Sequence, residues 1–353
     1  MYSKRSIRWL IVFSLLAILS FLLISNRAPN DEHPKTKLYQ YNPFSWPTRV
    51  ENYDFKTTLS ERECYDGSTT RYNGAGMTES IPKTVHFTWG LKGDGAFNFP
   101  FYLAIKAALQ SIQPTEVKVH YTNLDRSNEY FKELEGNITL VHHDPKDYFS
   151  KAGFAQDFDI GSWHVAHVAD VLRLLILQEE GGIYLDSDAY ALHSFDTIVA
   201  GARDVFMAHE GGNRYGMANA VIVAKANAPF INRWLKAYTQ NFDRNDWNGN
   251  SVVLPKRLAT EYPNEICTLS PTAFFWPLWT ESQIEYMHEP LGAEMALQME
   301  ERVERLEGRL YEDQLVYHAW SQNSMSLYIN HLTPERIRTE NTRFNILLRR
   351  FLD

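Results

Sequence analysis

An apolar helical stripe that ends at two glycines constrains the fold of this chain more than any other stretch. Apolar residues recur with the period of a helix from Trp163 to Glu180, and Gly181-Gly182 ends the pattern. The apolar run Ile183–Leu185 follows at once and predicts a buried strand, which leads into Asp186-Ser187-Asp188. A helix, a tight turn and a strand therefore bring two carboxylates to the end of one strand.

The residues before this stretch predict a further alternation of strands and helices. Short β-branched or alternating runs predict strands at Thr84–Trp89, Glu116–Tyr121 and Ile138–Val141, and helical spacing predicts a helix over Phe99–Ile112. This alternation predicts the α/β fold class, with helices on the faces of a sheet. Ligands of such sheets bind beyond the C-terminal ends of strands, which is where Asp186 falls.

Composition narrows the class of partner. The chain has 353 residues, of which 44% are hydrophobic, so it can bury a sizeable core. Its net charge of −8 argues against nucleic acid as a partner.

The N-terminal apolar run Ile7–Ile24 predicts one transmembrane helix over residues 7–25. Basic residues lie on its N-terminal side, so the positive-inside rule places residues 1–6 in the cytosol and the rest of the chain in the lumen. A cleaved signal peptide is the alternative interpretation. The expected localisation is the Golgi or ER membrane, as a single-pass type II protein.

Residues 26–80 are polar and interrupted by prolines, which predicts a luminal stem and leaves residues 81–353 as one folded domain. Cys64 and Cys267 could pair in an oxidising lumen, but the sequence leaves this disulfide open. Asn137-Ile138-Thr139 is the only N-glycosylation sequon, and its use is also left open.

The carboxylates of Asp186 and Asp188 indicate a divalent metal site. They leave one strand end at positions i and i+2, and hard oxygen ligands of this kind suit Mn²⁺ or Mg²⁺. The motif alone is a weak signal, because Asp157-Phe158-Asp159 is a second copy with no strand before it. The alternative is that both aspartates only cap a turn.

On the predicted helix, Asp170 and Arg173 are three residues apart and share a face. They form either a surface ion pair of little energetic value or a pair directed into the site, with Asp170 accepting from ligand hydroxyls and Arg173 facing negative charge. His164 and His167 share that face with Asp170. A zinc site is rejected, because no third ligand follows at a convincing spacing.

The stretch Trp163–Leu192 joins Asp-x-x-Arg to Gly-Gly-x-Tyr-x-Asp-x-Asp and resembles the core signature of glycosyltransferase family 32, the DXD sugar-binding family. The resemblance implies a GT-A type nucleotide-diphospho-sugar transferase fold, as a single catalytic domain behind the transmembrane helix. It implies retaining transfer of a hexose from UDP- or GDP-hexose to a glycan or glycolipid acceptor, with Mn²⁺ or Mg²⁺ as cofactor. The catalytic residues that it implies are Arg173, Asp186 and Asp188.

Flanking stretches resemble the same family. Ile81–Gly90 resembles its opening strand, whose tryptophan, here Trp89, stacks on the nucleotide base; ordinary core packing of Trp89 is the alternative. Gly216–Phe230 resembles the stretch in which an asparagine, here Asn219, lines the sugar pocket.

Tyr317–Ser324 resembles the closing His-x-Trp segment. It implies His318 as a third metal ligand beside Asp186 and Asp188, and Trp320 as a hydrogen-bond donor to the leaving group; a simply packed histidine is the alternative. The resemblance implies these donor-binding residues: Trp89, Asp170, Arg173, Asp186, Asn219 and Trp320. Gly249-Asn250-Ser251 departs from the Gly-Pro of many members, which leaves the acceptor in doubt.

Two other functions remain as alternatives. A haloacid-dehalogenase-type phosphotransferase also ends a strand in Asp-x-Asp, but this chain has Tyr190 where that motif has Thr or Val. A non-catalytic luminal sugar-binding protein would keep the fold without turnover. The tail Arg343–Asp353 is too short and too charged to span a membrane and is expected to form a helix docked on the body.

Overall fold

A seven-stranded sheet forms the centre of the protein in a computed structural model that describes residues 56–67, 80–154, 160–243 and 245–353. The strand order is β3-β2-β1-β4-β7-β6-β8, and a separate two-stranded sheet pairs β5 with β9. The strands are β1 Thr84–Trp89, β2 Glu116–Tyr121, β3 Thr139–His142, β4 Gly182–Leu185, β5 Ala189–Ala191, β6 Val205–Ala208, β7 Val221–Ala224, β8 Cys267–Leu269 and β9 Val316–His318.

Strand directions place most C-terminal strand ends at one edge of the sheet. Strands β3, β2, β1 and β4 run parallel to one another, whereas β7 is antiparallel to both β4 and β6. Strand β8 is parallel to β6. Strands β4, β6 and β8 therefore end at the same edge, where β7 begins. The predicted α/β class is confirmed, as a mixed fold with a sheet rich in parallel pairs.

Helices cover both faces of this sheet. Alternate residues of β4 point to opposite faces, so Ile183 and Leu185 join one apolar core while Tyr184 joins the other. The α-helices are α1 Leu59–Tyr65, α2 Phe99–Ser111, α3 Glu129–Leu134, α4 Pro145–Lys151, α5 Val165–Glu179, α6 Asp196–Val199, α7 Pro229–Asn241, α8 Leu254–Glu261, α9 Pro271–Phe274, α10 Glu281–His288, α11 Ala293–Arg305, α12 Ser321–Ser324, α13 Pro334–Thr339 and α14 Arg343–Leu348. A turn of π-helix, Gly249–Val253, precedes α8.

The turn between α5 and β4 requires both of its glycines. Gly181 and Gly182 have φ angles of 67° and 108°. A Cβ atom on Gly182 would lie 2.6 Å from the carbonyl oxygen of Thr84 and 2.8 Å from the ring of His86. The pair therefore lets the chain reverse against β1, which sets the direction in which β4 runs toward Asp186.

The predicted elements of this region are confirmed with small shifts at their ends. The helix predicted over Trp163–Glu180 spans Val165–Glu179, with the side chain of His164 as its N-terminal cap. The strand predicted over Ile138–Val141 begins one residue later. The C-terminal tail is a docked helix, since α14 buries Phe344 and Leu347.

Cys64 and Cys267, whose pairing the sequence left open, form a disulfide with a Cα–Cα distance of 5.6 Å. The bond joins α1 to β8. Helix α1 lies within the segment predicted as a stem, so residues 56–67 belong to the folded body. The other residues of that segment, apart from 80, lie outside the described residues, as does the second Asp-x-Asp motif at residues 157–159.

The predicted localisation in the Golgi or ER membrane is contradicted. No helix in the described part of the chain is both long and apolar enough to cross a membrane. The longest of these helices, α5, has 15 residues, and a span needs about 20. The predicted transmembrane helix, residues 7–25, and the predicted cytosolic residues 1–6 lie outside the described residues.

Three histidines form a hydrogen-bonded row across neighbouring strands: His86 in β1, His120 in β2 and His143 directly after β3. His86 Nδ1 lies 3.0 Å from His120 Nε2, and His120 Nδ1 lies 2.8 Å from His143 Nε2. His86 Nε2 lies 2.9 Å from the carbonyl oxygen of Gly181, so one set of neutral rings, each protonated on Nε2, satisfies the whole row. Burial lowers the pKa of His86 to about 4 and the pKa of His120 to about 2.

Candidate active site

A cleft of about 360 Å³ opens at the sheet edge where β4 ends and β7 begins. Its lining comes from α5, from the residues that follow β4 and β6, from the residues before β7, from residues 247–252, from Trp279, and from the end of β9 and the segment after it. One guanidinium faces several carboxylates among the described residues that line it: Arg173, Asp170, Asp186, Asp188 and Glu210. This excess of negative charge favours binding of a cation, or of a ligand that binds together with a cation.

Asp170 and Arg173 are buried side chains with 4% and 3% exposure, so the surface ion-pair alternative is wrong. Arg173 Nη2 lies 3.4 Å from Asp170 Oδ1. Arg173 Nη1 donates to the backbone oxygen of Asn219 at 2.7 Å and to its side-chain oxygen at 3.0 Å. The amide nitrogen of Asn219 donates to Asp170 Oδ1 at 2.7 Å, which closes a ring of three side chains.

The second oxygen of Asp170 also has two partners. Tyr238 donates to Oδ2 at 3.2 Å, and His167 Nδ1 lies 3.4 Å from the same atom. Burial opposes the charge on Asp170, but the hydrogen bond with His167 and the positive charge of Arg173 outweigh it and lower the pKa of Asp170. The carboxylate therefore stays ionised at the base of the cleft.

Asp186 is anchored from three directions. Its backbone N–H donates to the Ala220 carbonyl oxygen at 2.8 Å, Arg173 Nη1 lies 3.1 Å from its Oδ1, and the Tyr184 hydroxyl donates to Oδ1 at 2.8 Å. The Thr88 hydroxyl lies 2.9 Å from the oxygen of Tyr184 and so ties this arrangement to β1. Burial raises the pKa of Asp186 despite the charge of Arg173, and repulsion from Asp188 adds to the rise.

Asp188 meets His318 because β5 pairs with β9. In that pairing Ala189 lies opposite His318, and the backbone N–H of Ala319 donates to the carbonyl oxygen of Asp188 at 3.0 Å. Asp188 Oδ1 lies 3.2 Å from His318 Nε2, and Oδ2 accepts from the backbone N–H of Ser321 at 2.7 Å. Burial opposes both charges. Even so, the pair lowers the pKa of Asp188 and raises the pKa of His318.

The donor set fits a divalent cation. Asp186, Asp188 and His318 each offer a ligand atom, and these atoms all lie within 4.8 Å of one another. Two carboxylates and one imidazole suit Mn²⁺ and can also bind Mg²⁺. His318 Nδ1 is buried without a hydrogen-bond partner among the described residues, so the ring is not held in place by a second bond.

Two predicted donor-binding tryptophans differ in their position. Trp320 lines the cleft edge-on to His318, at a ring-centroid distance of 4.3 Å, and its indole N–H donates to the Pro277 carbonyl oxygen at 3.0 Å. That N–H is engaged within the protein. Trp89 lies at the C-terminal end of β1, stacked on Phe101 at 4.3 Å, and is not among the residues that line the cleft.

Known sequences identify the family. A family model described as "Glycosyltransferase sugar-binding region containing DXD motif" matches residues 114–204, which include α5, β4 and Asp186-Ser187-Asp188. Glucan organizing enzyme 1 of Cryptococcus neoformans is 32% identical over 355 residues, covering 97% of this chain and 88% of the relative. The chain belongs to glycosyltransferase family 32.

This family 32 member is also similar to parts of longer proteins. Toxin Afp18 of Yersinia ruckeri is 26% identical over 210 residues, which are 55% of the chain and 10% of the toxin. Among solved structures, PaToxG glycosyltransferase is 22% identical, covers 58% of the chain and 76% of its own length, and has a TM-score of 0.41. Family membership makes sugar transfer the general reaction and rules out the phosphotransferase alternative.

Sequence reasoning assigned no role to four residues at this site of the family 32 chain, of which two line the cleft and two are buried outside its lining. Tyr184 donates to Asp186 and Tyr238 donates to Asp170; the family signature contains Tyr184, but neither tyrosine was predicted to hold a carboxylate. Glu210 and Trp279 lie in the cleft and are joined by a hydrogen bond of 2.7 Å from the indole N–H to Oε1. Burial raises the pKa of Glu210 against the effect of that bond. The position of Glu210 just after an apolar strand was the available signal.

Proposed function

We propose that this protein is a metal-dependent, retaining glycosyltransferase with a GT-A type catalytic domain, which transfers a hexose from UDP- or GDP-hexose to a hydroxyl of a glycan or glycolipid. The observation that carries the proposal is the grouping of Asp186, Asp188 and His318 within 4.8 Å, beside the buried Arg173. The catalytic domain comprises residues 81–353 together with α1.

Asp186, Asp188 and His318 are the residues that would hold Mn²⁺ or Mg²⁺. When bound, the cation stabilises the negative charge of the departing diphosphate. Arg173 contributes a second positive charge from below, fixed in place by its bonds to Asn219 and Asp186. Because these bonds exist before a ligand arrives, the charge needs little reorganisation during the reaction.

The donor sugar lies beside Asp170 and Asn219, which offer ionised and amide oxygens to hydroxyl groups. The nucleotide extends from the metal toward the end of β1, where Trp89 is the stacking residue for its base. The ring of Trp320 forms a wall next to the diphosphate. The resemblance to the family signature supports these roles.

In the proposed reaction, the bond from C1 of the sugar to the diphosphate oxygen breaks, and a bond from C1 to the acceptor oxygen forms on the same face. An oxygen of the leaving diphosphate takes the acceptor proton. The chain's own residues hold the diphosphate and orient the sugar, so no side chain has to act as a covalent nucleophile.

The test is hydrolysis and thermal stabilisation with a panel of UDP-glucose, UDP-galactose, UDP-N-acetylglucosamine and GDP-mannose, each with MnCl₂, MgCl₂ or EDTA. We expect at least one donor to be cleaved and to raise the melting temperature only when the metal is present. The absence of cleavage with every donor and metal would overturn the proposal and favour a sugar-binding protein without turnover. The anomeric configuration of the transferred sugar, read by NMR, tests retention separately.

A further inference from the structure

Glu210 carries a carboxylate in the cleft that belongs neither to the candidate metal ligands Asp186, Asp188 and His318 nor to the hydrogen-bonded set of Asp170, Arg173 and Asn219. It lines the same cleft but is not one of the three residues whose ligand atoms cluster within 4.8 Å. Trp279 is the hydrogen-bond donor to its Oε1, and Oε2 accepts no hydrogen bond from the described residues. A half-buried carboxylate with one free oxygen is a strong acceptor for a ligand hydroxyl.

The topology places Glu210 opposite the nucleotide end of the site. Glu210 follows β6, and Trp89 ends β1, with β4 and β7 between these strands in the sheet. At about 4.8 Å between neighbouring strands, the two strand ends are roughly 14 Å apart. Asp186 leaves β4 between them. A donor that extends from Trp89 past the metal thus directs its sugar toward Glu210.

The loop that carries Glu210 is anchored. The backbone N–H of Glu210 donates to the Gly216 carbonyl oxygen at 2.8 Å, and Met217 N–H donates to the Val252 carbonyl oxygen at 3.1 Å. Trp279 is fixed in turn, because its carbonyl oxygen accepts from the side chain of Asn323 at 3.1 Å. Asn323 also lines the cleft. An aromatic ring, a carboxylate and an amide side by side match the apolar face and hydroxyls of a sugar.

We propose that Glu210 and Trp279 form the acceptor subsite of this transferase and that this subsite takes a neutral sugar. Glu210 accepts hydrogen bonds from hydroxyls of the acceptor, and Trp279 positions the carboxylate through its indole N–H. An acidic acceptor is excluded, because its charge would meet Glu210 in a cleft already rich in carboxylates. This proposal rests on the proposed transferase function.

The first test measures acceptor binding without a donor sugar. Saturation-transfer NMR is recorded with the methyl glycosides of glucose, galactose, mannose and N-acetylglucosamine, and with methyl glucuronide, in the presence of Mg²⁺ and either UDP or GDP. We expect at least one neutral glycoside to bind and methyl glucuronide not to bind. Glu210→Gln should weaken binding about tenfold, and Trp279→Phe should do the same. Glu301→Gln, an equal charge change at an exposed residue of α11, should have no effect.

The second test uses a donor that the wild type cleaves and compares sugar transfer with hydrolysis. Glu210→Gln should lower the ratio of transfer to hydrolysis by about tenfold and raise the acceptor KM more than the donor KM, a split that general unfolding does not produce.

The acceptor-subsite proposal is overturned if no neutral glycoside binds the wild type, if methyl glucuronide binds as tightly as the neutral glycosides, or if Glu210→Gln binds like the wild type. Lack of any metal-dependent donor cleavage would instead overturn the transferase function, and the binding experiment would still decide on the subsite.

Discussion

Arg173 and Asn219 hold each other through two hydrogen bonds, 2.7 Å to the backbone oxygen of Asn219 and 3.0 Å to its side-chain oxygen. Helix α5 is thereby joined to the residues that enter β7, next to Asp186, whose Oδ1 lies 3.1 Å from Arg173 Nη1. Asn219 also donates to Asp170. One amide group therefore fixes the buried carboxylate of Asp170 relative to the buried guanidinium of Arg173.

Replacing Asn219 tests this arrangement. Asn219→Ala removes the 3.0 Å bond from Arg173 Nη1 and the 2.7 Å bond to Asp170 Oδ1, which leaves both buried groups with fewer partners and should lower the free energy of unfolding by about 1–3 kcal/mol. Asn219→Asp should cost more at neutral pH, because it sets two carboxylates 2.7 Å apart in a buried site. Denaturant unfolding at pH 7 and pH 5 checks both, and the Asp variant should recover stability at the lower pH. Equal stability of the two variants would contradict this account.

Asp188→Asn should remove the response to metal while the fold stays intact. An asparagine oxygen can still accept from the backbone N–H of Ser321, so the local structure is retained. In the wild type, Mn²⁺ at about 100 times its Kd should add about 2.7 kcal/mol of stability. A titration with Mn²⁺ followed by thermal melting should show this gain in the wild type and in Glu301→Gln but not in Asp188→Asn. Donor cleavage by the variant should fall by roughly two orders of magnitude.

The histidine row predicts loss of stability in acid. His86 and His120 are neutral when folded, with pKa values near 4 and 2, but titrate near 6.5 when unfolded. Below pH 6.5 the unfolded chain binds more protons than the folded chain. The free energy of unfolding should therefore fall by up to about 1.4 kcal/mol per pH unit for each histidine as the pH drops from 6.5 to 5.

Unfolding by urea between pH 5 and pH 8 measures that slope. His120→Gln should make this slope shallower, whatever the stability of the variant at pH 8, because it removes one histidine whose pKa is lowered in the folded protein. His331→Gln, at an exposed position, is the matched control and should leave the slope unchanged. A slope that His120→Gln does not alter would show that other groups cause the acid response.

The disulfide between Cys64 and Cys267 closes a loop of 203 residues. A loop of that length should contribute about 5 kcal/mol by restricting the unfolded chain. The double substitution Cys64→Ser with Cys267→Ser should lower the free energy of unfolding by an amount of this order, and limited proteolysis should then cut near α1 first. The wild type under reducing conditions should behave in the same way, and a reduced protein as stable as the oxidised one would contradict the prediction.

The order of helix, turn and strand at the site could be predicted, because it depends on residues that are close together in the chain. The helical period before Gly181-Gly182 and the apolar run after them set α5, β4 and the strand-end position of Asp186. The same spacing put Asp170 and Arg173 on one face of α5. It could not tell whether that face is buried, because burial depends on α7 and Tyr238, which come much later in the chain.

The sequence by itself determined the α/β class, the turn that only glycines can make at Gly182, and the family signature around Asp186-Ser187-Asp188, because each depends on residues close in the chain. The family resemblance implied that His318 lies beside Asp188, but only the tertiary structure decided how the two side chains meet, that Cys64 bonds to Cys267, and that Glu210 meets Trp279. These pairs are separated by long stretches of chain, and the pairing of strands and the packing of two cores bring them together.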